Sequence, residues 1–193
     1  MTLPAASPPG LSLPLERQAP RGLYVHLPFC ARRCPYCDFA VSPLRRDTER
    51  RYLAALALEA ERRRPPDWQP LTLYLGGGTP AELTGEGVAH LIEILTPFTG
   101  GLREVTLEGN PRTLLERKLR PLVEGLGVTR VSLGAQSFQP ELLERLGRFH
   151  RPADVIRAAE LVRAHGLALS VDLIFAVPGQ TPDALQRDLD AAL

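Results

Sequence analysis

Apolar positions along the chain switch repeatedly between two periods, short runs that alternate or are apolar throughout and longer stretches in which they recur every three or four residues. The first pattern reads as strand and the second as amphipathic helix. Residues 23–27, 71–75, 104–108, 130–134 and 168–175 predict five strands. The first helix is predicted over 46–63, with Tyr52, Leu53, Leu56, Ala57 and Ala60 on one face and a stop at Pro65 and Pro66. Val88, Leu91, Ile92 and Leu95 give the next stripe, up to about Pro97. Thr113 and Glu116 have capping-box spacing for a third helix, which Gly125 or Gly127 closes. A short helix follows Pro140. Another starts near Pro152, uses Val155, Ile156, Ala159 and Val162 as its apolar face, and ends at His165 and Gly166. The last begins at Thr181 and Pro182, with Leu185, Leu189 and Leu193 facing inward.

Strands that alternate with helices, through connections long enough only for crossovers, imply an α/β fold with a parallel sheet of about five βα units. Apolar residues on both faces of the second strand suit a sheet covered by helices. An ordinary dinucleotide-binding domain is disfavoured, because Gly76, Gly77 and Gly78 are not G-x-G-x-x-G and follow the second strand. Each unusual short motif lies just after a strand, where α/β barrels build their active sites. Gly, Pro, Asn and Ser are also ordinary turn residues, but these turns carry Cys, Glu, Gln, Arg and Asp as well.

Composition changes this picture little. With 44% hydrophobic and 23% charged residues in 193, one globular domain with a real core is expected. Residues 1–20 are the exception: Pro4, Pro8, Pro9, Pro14 and Pro20 among few large apolar side chains read as a disordered or loosely docked tail ahead of a core domain over 21–193. A net charge of +1 gives no field for nucleic acid, and the arginines are mixed with glutamates along helices. No apolar run approaches the roughly 18 residues of a membrane span and no signal peptide is evident, so a cytoplasmic location is expected.

The chemistry concentrates in one stretch. Cys30, Cys34 and Cys37, the only cysteines, are spaced C-x3-C-x2-C directly after the first strand. Three thiolates so close in sequence can converge on one metal centre. Three readings stand at this point: an iron–sulfur cluster with one iron left open, a zinc site completed by His26 or an outside ligand, or unrelated buried thiols. Disulfides suit neither the odd count nor a reducing compartment.

C-x3-C-x2-C with an aromatic, Tyr36, before the last cysteine resembles the signature of the radical S-adenosylmethionine (SAM) superfamily. The wider stretch from Tyr24 and His26 through Pro28, Phe29, Pro35, Tyr36, Asp38 and Phe39 looks more specifically like the branch that holds the oxygen-independent coproporphyrinogen III oxidases and the HemW haem chaperones. The resemblance runs from Tyr24 to the end of the chain. It implies a partial TIM-type (βα) barrel of the radical SAM core, of which about five of six units are present, so the chain looks like part of a longer protein.

It further implies a [4Fe-4S] cluster on Cys30, Cys34 and Cys37, with SAM on the open iron and reductive cleavage of SAM as the superfamily's chemistry. Tyr24, Tyr36, Gly77, Gly78, Thr79, Glu108, Gln136, Arg148 and Asp172 match SAM-contacting or cluster-packing positions, and Arg148 with Asp172 is a candidate ion pair. His26, His90, His150 and His165 have no assigned role, His150 being the best placed of them to line the cavity. Phe39 stands where the oxidases carry a fourth cysteine, as in HemW, so the favoured function is a haem chaperone and the alternative a coproporphyrinogen III oxidase. Haem or a porphyrin, an electron-donor protein and a haem-acceptor protein are the expected partners, the haem site falling beyond residue 193.

Overall fold

The computed structural model describes residues 21–65 and 67–193; the reading of 1–20 as a tail lies outside them. Five parallel strands form one sheet in sequential order, β1 (Gly22–Leu27), β2 (Thr72–Gly77), β3 (Glu104–Gly109), β4 (Arg130–Gln136) and β5 (Ala168–Leu173). The strands are joined by α1 (Arg46–Arg63), α2 (Gly85–Leu95), α3 (Glu116–Leu126), and the pair α4 (Pro140–Arg145) and α5 (Pro152–Ala164), with α6 (Pro182–Ala192) after β5. The sheet is open at β1 and β5, as expected for adjacent units of a partial barrel.

Strand alternation separates two faces. Val25 and Leu27, Leu73 and Leu75, Val105 and Leu107, and Val131 and Leu133 pack with Leu53, Val88, Leu91, Leu119, Leu122 and Val162 from the helices in one core. The opposite face carries Tyr24, Tyr74, Glu108, Ser132 and Asp172, so apolar cover on both faces of β2 is not realised. A polar inward face is unlike the packed interior of a complete barrel and leaves room for a ligand.

Several local expectations are corrected. No capping box forms at Thr113 and Glu116: α3 begins at Glu116, its N-cap Leu115 makes no side-chain bond, and Glu116 instead meets Arg120 at 2.7 Å and His165 at 2.8 Å. Gly127, left-handed at φ 68°, ends that helix, while Gly125 lies inside it. Helix α5 buries Val155, Ala158 and Val162 but exposes Ile156. Strand β5 stops at Leu173, and Phe175 is 73% exposed. Helix α6 turns Ala184 and Asp188 inward in place of the leucine stripe, leaving Leu189 and Leu193 exposed. That helix packs on a separate small cluster of Leu142, Leu146 and Val177, and the offset of this cluster sets its rotation.

Two buried carboxylates hold the connections. Glu49 of α1, 3% exposed, accepts from Thr84 N at 2.7 Å and Thr84 Oγ1 at 2.9 Å, while Thr84 Oγ1 accepts from Gly87 N as the N-cap of α2. Asp188 of α6 does the same for the turn after β4, accepting from Ser137 and Phe138.

Candidate metal and cofactor site

The cysteines sit on an excursion pinched at its base. Phe29, fully buried, forms a parallel bridge with Ser42, where Cys30 N donates to Ser42 O at 3.0 Å and Ser42 N to Pro28 O at 2.8 Å. A turn closed by Cys37 N to Cys34 O at 3.1 Å links the last two cysteines. His26 is used elsewhere: its Nε2 donates to Ala40 O at 2.9 Å, fixing the returning limb of the excursion.

The second wall is the glycine turn after β2. Gly78 N bonds Leu27 O at 2.8 Å and Thr79 N bonds Phe29 O at 2.7 Å, tying this turn to the start of the cysteine excursion. Gly77 has φ 101°, and a Cβ there would strike the His26 ring, so glycine is required by both conformation and contact. Its N–H donates to Glu108 Oε2 at 3.0 Å, and Tyr74 donates to Glu108 Oε1 at 2.9 Å. Thr79 Oγ1 lies 3.6 Å from Cys30 Sγ.

The third wall comes from β4 and the loop that leads out of it. The β4–β5 register slips between Gly134 and Gln136, and Gln136 takes φ 67°. Carbonyls released from the ladder are taken by Arg148 Nη2 on Gly134 O at 2.6 Å and His150 Nε2 on Ala135 O at 2.9 Å. Arg148 also reaches Cys34 Sγ at 3.8 Å, and its buried Nε has no hydrogen-bond partner among the described residues. Asp172 does not pair with Arg148 as expected. It is exposed on the polar face of β5 and accepts from Ser132 Oγ at 3.0 and 3.1 Å, so no buried charge needs neutralising.

These walls enclose a cavity of about 540 Å3 at the carboxyl ends of the strands, within the range of small-ligand sites. It brings together Cys30, Cys34, Cys37, Tyr36, Gly77, Gly78, Thr79, Glu108, Gln136, Arg148 and Asp172, with His150. Tyr24 is not in its lining; it stacks on Tyr74 at 5.8 Å between centroids, and Tyr74 in turn holds Glu108. Sequence reasoning missed Tyr74, Glu82, Asn110, Arg112 and Phe149. Tyr74 could have been found as the inward residue two before the triple glycine, whereas Phe149, held by Arg32 at 4.4 Å, depends on a loop path that periodicity does not encode. Phe39 lines the cavity and is 58% exposed.

Burial pushes the Cys30 thiol up, the Thr79 bond opposes this, and the charges of Cys37, Cys34 and Glu82 push it up further. Burial likewise takes Tyr36 up to about 12, against the lowering effect of Arg148 and with Cys34 adding to the rise. Among the described residues no three His, Cys, Asp or Glu side chains are close enough to hold a single metal ion. Three thiols around a shared cavity are a donor set that a polynuclear cluster, in which each sulfur meets its own iron, can use. The Arg148 and Glu108 side chains are charged groups in the lining of the same cavity.

The radical SAM superfamily model matches residues 24–192. The chain belongs to the radical SAM superfamily. Membership implies a [4Fe-4S] cluster and SAM, and the thiol set and cavity fit both. Among curated relatives, the chain is 37% identical over 179 residues to "Heme chaperone HemW" of Bacillus subtilis, covering 90% of this chain and 47% of that protein. It is 38% identical over 197 residues to "Heme chaperone HemW" of Mycobacterium tuberculosis, covering 96% and 49%. The solved coproporphyrinogen III oxidase HemN of Escherichia coli matches with TM-score 0.78 and 29% identity, over 89% of this chain and 41% of that one. The chain thus spans about half the length of the curated relatives it matches. No helix among the described residues is long and apolar enough to cross a membrane.

Proposed function

We propose that this chain is the cluster- and SAM-binding part of a haem chaperone of the HemW type. Cys30, Cys34 and Cys37 hold a [4Fe-4S] cluster; Gly77, Gly78 and Thr79 face the methionyl end of SAM; Glu108, Gln136, Arg148 and Asp172 supply its polar contacts. The bound cluster supplies a one-electron reductant and an open iron for SAM. The chain's own contribution is orientation: Tyr74 and Gly77 N–H fix the Glu108 carboxylate, and the Gly134 carbonyl fixes the Arg148 guanidinium beside Cys34. Tyr24 supports this wall from behind through Tyr74.

The observation that carries the chaperone reading is Phe39. An apolar ring, exposed toward the cavity, stands where the oxidases of the branch have a further cysteine, and it leaves the three ligands and the SAM walls intact. The names of the HemW relatives support the same choice, while the likeness to the oxidase HemN favours the alternative of porphyrinogen decarboxylation. On the chaperone reading the partners are haem, an electron donor and a haem-accepting protein, in the cytoplasm.

The test is an anaerobic incubation of the reconstituted full-length protein with SAM, a reductant and coproporphyrinogen III, beside a haem titration followed by absorbance. Haem binding without protoporphyrinogen IX is expected. Robust decarboxylation would move the protein to the oxidase branch, and failure to bind haem would remove the chaperone reading.

A further inference from the structure

We propose that Asp188 is a positioning residue for SAM binding, holding from α6 the turn that presents Gln136 to the cavity; this rests on the reading of Gln136 as a SAM contact. Asp188 is 1% exposed, and a carboxylate in that position is costly unless its lone pairs are met. The turn after β4 meets them. Ser137 Oγ donates to one oxygen at 2.8 Å, and Phe138 N and Gln139 Nε2 donate to the other at 2.7 and 3.2 Å. Ser137 Oγ in turn accepts from Gln139 N at 2.9 Å, closing the turn on itself.

Gln136 needs such a clamp. A non-glycine residue at φ 67° persists only where its surroundings over-determine it. On the preceding side Arg148 and His150 take the carbonyls of Gly134 and Ala135, and Ile174 N takes the carbonyl of Gln136 at 2.9 Å. On the following side the clamp is Asp188. Its position is set in turn by the small cluster of Leu142, Leu146, Val177 and Ala184, which docks α6 on α4. The carboxylate therefore links the packing of α6 to the angle at which Gln136 enters the cavity, from outside the cavity's lining. No periodicity argument finds it, because it lies on the face that the leucines were expected to fill.

The experiment uses the full-length protein, reconstituted anaerobically, with variants Asp188→Ala, Gln136→Ala, the double variant and Val177→Ala. Readouts are iron and sulfide content, SAM affinity by equilibrium dialysis, and thermal melting. Asp188→Ala is expected to bind SAM at least tenfold more weakly with cluster content unchanged, and the double variant no more weakly than the worse single variant. Val177→Ala, which loosens the docking that sets Asp188 but leaves the carboxylate and its donors in place, is expected to melt lower and to weaken SAM binding by much less than Asp188→Ala does. Should Asp188→Ala not fold, Asp188→Asn carries the test on the same criteria, since its one amide oxygen cannot accept both from Ser137 and from the Phe138 and Gln139 donors. The proposal is overturned by normal SAM affinity in the Asp188 variant, by additive losses in the double variant, or by an equal loss in Val177→Ala. Normal affinity in Gln136→Ala would overturn the underlying assignment of Gln136 and this proposal with it, whereas a loss there with none at Asp188 would overturn this proposal alone.

Discussion

Gly78→Ala tests how the two principal walls of the site are joined. A Cβ at this position would lie 2.7 Å from both Leu27 O and Phe29 O. Both are backbone atoms, one at the end of β1 and the other at the base of the cysteine excursion, so neither can rotate away. The same two carbonyls accept the N–H groups of Gly78 and Thr79 at 2.8 and 2.7 Å. Relief of the clash must therefore stretch the bonds that hold the glycine turn to the excursion. Overpacking costs roughly 1–3 kcal/mol, and each weakened hydrogen bond adds roughly 0.5–1.5 kcal/mol. Their sum, about 2–6 kcal/mol, corresponds to a melting point lowered by roughly 4–24 °C in a chain of this size. The damage is directional as well, since Thr79 would carry its hydroxyl away from Cys30. The assay is denaturant unfolding of the apo-protein together with iron uptake during anaerobic reconstitution. Gly85→Ala serves as the control: nothing lies within 4 Å of a Cβ there, and a change between zero and about 1 kcal/mol of stabilisation is expected. Equal stability of Gly78→Ala and the parent protein, with normal iron uptake, would refute the reasoning.

Two further predictions concern groups outside the ligand contacts. Burial, with the Arg148 charge second, pushes the His150 imidazole down to about 4 from 6.5; the unfolded chain then binds the extra proton between those values, so stability falls as pH drops through that window. His150→Gln should show a flatter pH dependence of unfolding between pH 6.5 and 4, and an unchanged slope would contradict the assignment. Glu49→Ala removes the acceptor for both Thr84 donors at the head of α2 and should cost roughly 2–3 kcal/mol in denaturant unfolding, with SAM affinity unchanged; a loss of SAM binding at constant stability would show that Glu49 acts on the site.

The sequence made the order of elements legible because each strand and helix carries its own periodicity, and α1 falls on its expected bounds. That the candidate residues would share one cavity was legible for a different reason: Cys30, Gly77, Glu108, Gln136 and Asp172 lie at or just past the ends of five parallel strands, and a parallel sheet gathers those ends on one side whatever the details of packing. The misses arise where tertiary geometry decides. Leu189 and Leu193 have helical spacing, but the rotation of α6 is set by its contact with Leu142, Leu146 and Val177 and by the hydrogen bonds to Asp188. The Thr113 and Glu116 spacing resembles a cap, yet the chain enters α3 through Leu115 and leaves Thr113 Oγ1 buried with no hydrogen-bond partner among the described residues. The expected ion pair of Arg148 and Asp172 failed because the slip in β4 offers Arg148 a free carbonyl, while β5 sets Asp172 beside Ser132. Hydrogen bonds of that kind depend on register, which a single sequence does not state.

The central claim is that Cys30, Cys34 and Cys37 share a cluster with one iron open to SAM. Its most direct test is Mössbauer and electron paramagnetic resonance spectroscopy of anaerobically reconstituted protein, with and without SAM, alongside iron, sulfide and zinc analysis and the three single Cys→Ala variants. The account predicts one [4Fe-4S] cluster per chain, a spectrum that changes on adding SAM, and loss of the cluster in each variant. Stoichiometric zinc without iron after strictly anaerobic handling, or a cluster whose spectrum ignores SAM, would contradict it.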